Sequence, residues 1–469
     1  MNRYQGANAK LKGVLKQQIF KANDIRGIVT GEDPELDLEG ARQLGAAFVE
    51  LLGLSGKTFV MGRDMRQLGK ELSMAFADGA RRAGASVVNL GLTSTDQLWF
   101  ASGHLGLPGV QFTASHNPAM YNGMKFCMAN AFPVRPGFTT ELRERAGSVV
   151  IGDEVQGGYE ERDLTAEFVV HLNQLVPVTG GRRLTVVVDA GNGMAGLIAP
   201  AVLAGRDVEL IGLYMEPDGS FPNHPANPLE LENLADAQAA VRQHEADLGL
   251  VFDGDADRCF LIDERGKVVD PSVITAMIAV AELTKEPGGV VVVNAITSQA
   301  VADAVAGLGR VQVSRVGHTF VKSLMAGENA IFGGEHSAHY YFREFWGADT
   351  GVLAALHVLE QLRVSAGTLS GLAARFDGYQ RSGEINSTVT DHQASMELVA
   401  AAFEGRGEIE YWDGLTIRDP EAGWWVNLRP SNTEPLLRLN VEARDTHTMT
   451  QLRDEVLAIV RADEGEADE

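Results

Sequence analysis

The chain has 469 residues, 45% hydrophobic and 22% charged, with a formal net charge of −23. That length suits several domains with cores of their own, and the balance is that of a soluble globular protein. The acidic excess excludes a general nucleic-acid or anionic-membrane surface, so an anionic substrate has to be met by a local cluster of Lys and Arg.

No apolar run reaches the roughly 20 residues that span a bilayer, and the opening segment, with Lys10, Lys12 and Lys16 among polar residues, lacks a signal-peptide core. A cytoplasmic protein without membrane or nucleic-acid partners is expected. Cys127 and Cys259 have no metal-ligand spacing and read as buried thiols.

In chain order, Lys21-Ala22-Asn23-Asp24-Ile25-Arg26-Gly27 reads as a short charged turn, followed by an amphipathic helix from Leu38 to Leu52 that Gly53 ends. A pattern then recurs three times. Thr58 to Met61 runs into Gly62-Arg63-Asp64, Leu184 to Val188 into Asp189-Ala190-Gly191-Asn192-Gly193, and Val290 to Val293 into Asn294-Ala295-Ile296-Thr297-Ser298. Second strands are expected at Ser86 to Leu90, Val208 to Leu213 and Val311 to Val316. Each unit then reaches a third apolar run ending in a polar loop: Thr113 to Pro118, Asp253 to Arg258, and Gly334 to His339. Strands alternating with helices imply parallel or mixed sheets, which carry ligand loops at the carboxyl ends of their strands. After about Phe376 short alternating strands and a final helix from Met449 to Arg461 predict a smaller domain. The expected architecture is three related mixed-sheet α/β domains (1–165, 166–268, 269–376) plus a smaller C-terminal α+β domain (377–469) around a central cleft. The run from Asp463 to Glu469 reads as a solvated tail.

The chemistry is concentrated in the loops. Thr113-Ala114-Ser115-His116-Asn117-Pro118 follows an apolar run and stops at proline, which predicts an exposed Ser115 able to act as nucleophile or phosphate carrier; alone it reads as a polar turn. Asp253, Asp255 and Asp257 lie too close together to ionise without a cation, which points to a hard divalent metal, Mg²⁺. An EF-hand does not fit, because Arg258 stands where its sharp turn needs glycine and both flanks read as strand. Arg429, Ser431, Asn432 and Thr433 place a guanidinium, two hydroxyls and an amide in one turn, a set suited to phosphate; Arg438 on the next strand pairs with Glu442 or touches ligand. Glu335, His336, Ser337 and His339, with Gly317-His318 upstream, offer donors and acceptors for sugar hydroxyls, whereas Tyr340 to Trp346 reads as packing. A rival signal is Gly191-Asn192-Gly193-Met194-Ala195-Gly196 with Glu216 beyond it, the pattern of a dinucleotide site and hence of an NAD-dependent dehydrogenase. It is the lesser reading, since glycines at a strand-to-helix turn also serve close packing and leave the serine loop and the three carboxylates unexplained.

Taken together, over nearly the whole chain, these loops resemble those of the α-D-phosphohexomutases, the phosphomannomutase and phosphoglucomutase family, in the family's own order. The resemblance implies that Ser115 carries the transferred phosphoryl group and that Asp253, Asp255 and Asp257, with the phosphate on Ser115, bind Mg²⁺. It places Arg26, His116, Asn117, Lys125 and Arg258 around the reacting groups, with Lys125 as general base or acid. Glu335, Ser337, His339 and His318 would hold the sugar, and Arg429, Ser431, Asn432 and Thr433 the phosphate that does not react. It implies a mutase passing through a 1,6-bisphosphate, activated by glucose 1,6-bisphosphate, and working on a hexose phosphate as monomer or homodimer. The loop from Glu335 to His339 looks closer to the phosphomannomutase type, with glucose phosphates as the alternative substrates and a silent sugar-phosphate binding protein as a further reading. Asn23 stands where the family usually has an aromatic, and Ala295 near a place where it often has lysine.

Overall fold

A computed structural model describes residues 13–431 and 436–462, so Asn432, Thr433, Lys10, Lys12 and the acidic tail lie outside the described residues. The chain forms two compact units: residues up to 268 with 339–369, and residues 269–338 with 370 onward.

The threefold pattern is present as a repeated sheet. In each repeat the first strand is flanked by two parallel neighbours, with the third strand on one side and the second on the other. In the first repeat Thr58–Arg63 lies between Gly109–Phe112 and Ser86–Leu92. In the second, Leu184–Asp189 lies between Leu248–Phe252 and Val208–Leu213. In the third, Val290–Asn294 lies between Phe332–Gly334 and Arg310–Ser314. Central strands covered on both faces need continuous apolar runs, and Val290–Asn294 is buried along its length. In the first two repeats an antiparallel strand, Tyr121–Cys127 or Cys259–Asp263, returns from the third strand and forms the far wall of a loop. The sheets are therefore mixed.

Residues 21–27 are not a turn. Asp24–Ile28 is a strand, because the edge of Tyr121–Cys127 is open to it and the two pair antiparallel. Leu38–Leu52 is a helix as the periodicity predicts: Asp37 accepts from Gly40 N at 2.7 Å at its start, and Gly53 takes the left-handed conformation, φ 60°, at its end. It packs on helix Gly69–Arg82 so tightly that a Cβ on Gly45 would lie 2.0 Å from the Phe76 carbonyl oxygen. Beneath them Phe48, Phe59, Phe76, Phe112 and Phe126 form one core.

In the second unit the C-terminal strands Glu408–Glu410, Leu415–Asp419, Trp424–Pro430 and Leu436–Ala443 form an antiparallel meander. Helices His392–Ala402 and Thr446–Val460 close its core, to which Phe403, Ile417, Val426, Leu439 and Val456 contribute. The molecule is thus a multi-domain α/β protein with an α+β C-terminal part. Among the described residues no helix is long and apolar enough to cross a membrane.

Candidate active site

Strands Gly109–Phe112 and Tyr121–Cys127 pair directly and hold the loop 113–118 between them. Ser115 is not exposed as the polar hexapeptide predicts: it is 0% accessible, because its loop turns inward on a left-handed backbone, φ 53°. Its hydroxyl donates to Asp253 Oδ2 at 2.8 Å and lies 3.1 Å from His116 Nδ1. Thr113 Oγ1 accepts from Ser115 N at 2.8 Å, which stabilises the turn.

The strand pair Leu248–Phe252 and Cys259–Asp263 presents Asp253, Asp255 and Asp257 on a short hairpin loop, with strand rather than helix on both flanks. All three are buried, and one oxygen of each lies within 4.8 Å of the others. Lys125 reaches them from the serine-loop hairpin, with Nζ 2.7 Å from Asp255 Oδ2 and 2.5 Å from Asp257 Oδ2. Thr95 Oγ1 also donates to Asp255 Oδ2, at 2.5 Å. Lys125 stands opposite Asp24 in the strand pairing, and Arg26 lies two residues along the same strand as Asp24, so period-two alternation places it on Asp24's face. Arg26 donates to Asp24 at 2.8 Å and to Asn117 Oδ1 at 2.9 Å. Arg258 donates its backbone N–H to Asp253 Oδ1 at 3.3 Å, and its Nε lies 3.2 Å from His339 Nε2, which is 3.6 Å from Asp257 Oδ1. Ser115, His116, Asn117, Lys125, Arg26, Arg258, His339 and the three aspartates thus meet in the first unit.

The electrostatics assign protonation states. Burial opposes the Lys125 charge, yet Asp255 and Asp257 outweigh it and hold the ammonium above the ordinary lysine value. Burial drives His116 well below the ordinary histidine value, and Arg258, Arg26 and Lys125 push the same way, so its ring is neutral at pH 7. Burial raises Asp253 well above the carboxylate range, reinforced by Asp257 and Asp255; for Asp257 burial is overcome by Lys125 and His339, and its value falls.

The residues fit a metal ion. Lys125 occupies one oxygen each of Asp255 and Asp257, whereas Oδ1 of each is buried without a hydrogen-bond partner, Asp257 Oδ1 having only longer ionic contacts to His339 at 3.6 Å and Arg258 at 3.9 Å. Hard oxygen donors left unsatisfied beside a third carboxylate suit a divalent cation with oxygen ligands.

In the second unit, Glu335 Oε1 accepts from Asn294 Nδ2 at 3.0 Å and from Gly317 N at 3.1 Å, so the third repeat's first strand and the start of helix His318–Glu328 fix its carboxylate. Asn294 Nδ2 also lies 3.1 Å from His336 Nδ1, and burial pulls His336 down to about 4. Ser337 follows in the same loop, inside a turn that Ala338 N closes on Glu335 O at 3.1 Å. Arg429 and Arg438 share Glu384, at 3.1 and 2.9 Å, and Arg438 also donates to Ser431 Oγ at 3.2 Å. Glu442 is therefore not the partner of Arg438. It is buried and accepts from Gln299 N and Trp425 Nε1 at 2.9 and 2.8 Å.

Several site residues escape sequence reading. Asp24 is legible in principle, two residues from Arg26 on one strand face. Asn294 shows in the sequence only as the start of a polar loop, and Thr95 and Glu384 carry no local signal, since each reaches its partner across the fold. The glycine-rich loop proves to be a packing joint: a Cβ on Gly196 would lie 1.9 Å from Met215 O, and Met194 N donates to Gly254 O at 3.0 Å beside the aspartates. Cys127 and Cys259 are buried thiols, and Tyr340, Tyr341, Phe342 and Phe345 are buried packing residues.

Four family models match the chain in succession. They are phosphoglucomutase/phosphomannomutase alpha/beta/alpha domain I over residues 17–149, domain II over 166–266, domain III over 270–379, and the C-terminal domain over 384–459. A phosphomannomutase of Salmonella montevideo is 38% identical over 458 residues, covering 94% of this chain and 99% of the relative. One from Escherichia coli K12 is 38% identical over 456 residues, covering 94% and 98%. A crystal structure of a phosphoglucomutase/phosphomannomutase family protein from Burkholderia thailandensis superposes with a TM-score of 0.87 at 30% identity, covering 97% of this chain and 99% of that one.

Proposed function

The chain belongs to the phosphoglucomutase/phosphomannomutase family, a phosphohexomutase and hence an isomerase, and from that premise we propose that it interconverts mannose 6-phosphate and mannose 1-phosphate in the cytoplasm. The observation that carries this reading is the Ser115 hydroxyl set on Asp253 at 2.8 Å within a cluster of three buried aspartates and Lys125.

Ser115 carries the phosphoryl group. The P–O bond to Ser115 breaks as one forms to the sugar hydroxyl, giving the 1,6-bisphosphate, and the second transfer returns the other phosphoryl group to Ser115. Phosphoryl transfer depends on positioning and charge stabilisation, which the Lys125 ammonium, Arg26 and Arg258 supply. Neutral His116, 3.1 Å from the serine oxygen, can take or return the proton there. Lys125 is assigned as the general acid or base, for the proton that the serine oxygen takes up as its P–O bond breaks and the one that the attacking sugar hydroxyl gives up. Asp253, Asp255 and Asp257 are assigned to Mg²⁺, which when bound neutralises charge on the transferring group. Glu335, Ser337, His318 and His339 are assigned to the sugar, and Arg429, Ser431, Asn432 and Thr433 to the non-reacting phosphate. Glucose 1,6-bisphosphate is the expected activator.

The test is peptide mapping for phosphate on Ser115, then incubation of the phosphorylated protein with Mg²⁺ and mannose 1-phosphate or glucose 1-phosphate. Phosphate leaving Ser115 with either sugar supports the mutase, and the faster sugar is the preferred one. Ser115 unmodified after treatment with glucose 1,6-bisphosphate and Mg²⁺ sinks the reading.

A further inference from the structure

Arg66 stands just beyond the first strand of the first repeat and is 2% exposed. Its guanidinium points into the serine loop and meets only backbone there. Nη1 donates to the carbonyls of Pro118 and Tyr121 at 2.9 and 3.0 Å. Nη2 donates to those of Ser115 and Asn117 at 2.7 and 2.5 Å. Three carbonyls of the loop and one at the start of the strand that follows it thus converge on one planar fork, an arrangement that a lysine's single nitrogen cannot reproduce. The guanidinium is itself held. Its Nε lies 3.4 Å from Asp64 Oδ2, and the Phe221 ring lies 5.0 Å from Cζ. The chain at Gly219 packs so closely that a Cβ there would lie 2.7 Å from the Arg66 Cα.

The loop has reason to need such a clamp. Ser115 has φ 53°, a conformation that strains a non-glycine residue and persists only where its surroundings enforce it. A left-handed Ser115 turns successive carbonyls inward, and buried carbonyls need donors.

We propose that Arg66 is a positioning residue that holds the Ser115 loop in its strained turn, so that it governs the rate of phosphoryl transfer and not the affinity for the sugar phosphate. Arg66 acts through the backbone and touches no reacting atom. The inference rests on the phosphoserine reading above.

The experiment compares wild type with Arg66→Lys and Arg66→Ala by steady-state kinetics, by single-turnover transfer from phosphorylated Ser115, and by thermal unfolding. In Arg66→Lys, kcat and the single-turnover rate are expected to fall about a hundred-fold, the scale of a misplacement near 1 Å, with KM held within about two-fold. Free guanidinium is expected to restore part of the rate in Arg66→Ala, which a general loss of stability would not allow. Asp64→Asn removes the charge facing Nε while its remaining oxygen can still accept from Arg66 N, the 2.9 Å bond that Asp64 Oδ1 makes in wild type, and serves if the Arg66 variants do not fold; its expected effect is a smaller fall in kcat at constant KM. Wild-type kcat in Arg66→Lys or in a folded Asp64→Asn, or a change confined to KM, overturns the inference. Failure of the phosphoserine reading shows in wild type itself, as Ser115 that never carries phosphate, and removes both.

Discussion

Lys125 is the residue on which the charge balance of the site turns. Its ammonium compensates two buried carboxylates, and they in turn hold it protonated. Lys125→Met should lower kcat by about 10²- to 10⁴-fold, the usual scale of a lost acid or base. It should also lower the Mg²⁺ concentration for half-maximal activity, because Asp255 and Asp257 lose their resident cation. Steady-state assays across a Mg²⁺ titration read both, and an unchanged Mg²⁺ dependence would count against Lys125 as the competing charge. Asp253, Asp255 and Asp257 are legible in the sequence because three alternating carboxylates have few explanations. Glu384 and Thr95 are not, because an acid or a hydroxyl in an ordinary stretch gains meaning only from partners distant in sequence.

Strand Asp24–Ile28 shows how an element can depend on one missing side chain. Arg26 pairs with Gly123, and a Cβ at Gly123 would lie 1.9 Å from Ile25 O and 2.9 Å from Thr113 O. Gly123→Ala should therefore separate the strands, cost about 1–3 kcal/mol or more in a urea denaturation, and lower activity by displacing Arg26. Wild-type stability would show that the strand has slack that this geometry denies. The loop of Asn223 to Ala226 makes a pH-dependent joint. His224 Nε2 lies 3.2 Å from both oxygens of Asp189, and Nδ1 lies 2.9 Å from Pro225 O. Burial opposes the His224 charge, but Asp189 and Pro225 O raise its value above 6.5. The charged form is thus favoured in the fold, so its stabilisation is complete below pH 6.5 and is lost as pH rises through the raised folded value. His224→Gln should lower the denaturation midpoint more at pH 6 than at pH 9; equal losses would refute the ion pair. Residues 21–27 look like a turn in the sequence because a lone edge strand has too few residues for periodicity to declare it.

At the scale of the whole molecule, the C-terminal α+β region has its own core, running from Met396 and Phe403 through Leu415, Val426 and Leu439 to Val460. A fragment of residues 377–469 is expected to fold alone and unfold cooperatively in urea. A broad, non-cooperative transition would mean that its stability comes from the rest of the chain. The threefold repeat, by contrast, is legible as a pattern of residues alone, since β-branched runs and polar loops recur where buried parallel strands end.

The order of residues settles much of what is local: the longer strands and helices, because periodicity and capping act over several residues, and which loops carry carboxylates, a serine and a guanidinium, though not the short edge strand Asp24–Ile28. The fold alone settles that Ser115 is buried, that Lys125 lies between two aspartates about 130 residues away, and that Arg66 supports the serine loop. The physical reason is burial. An ionisable group's protonation and a strained backbone's persistence depend on what surrounds them in space, and sequence neighbours supply only a small part of that surrounding.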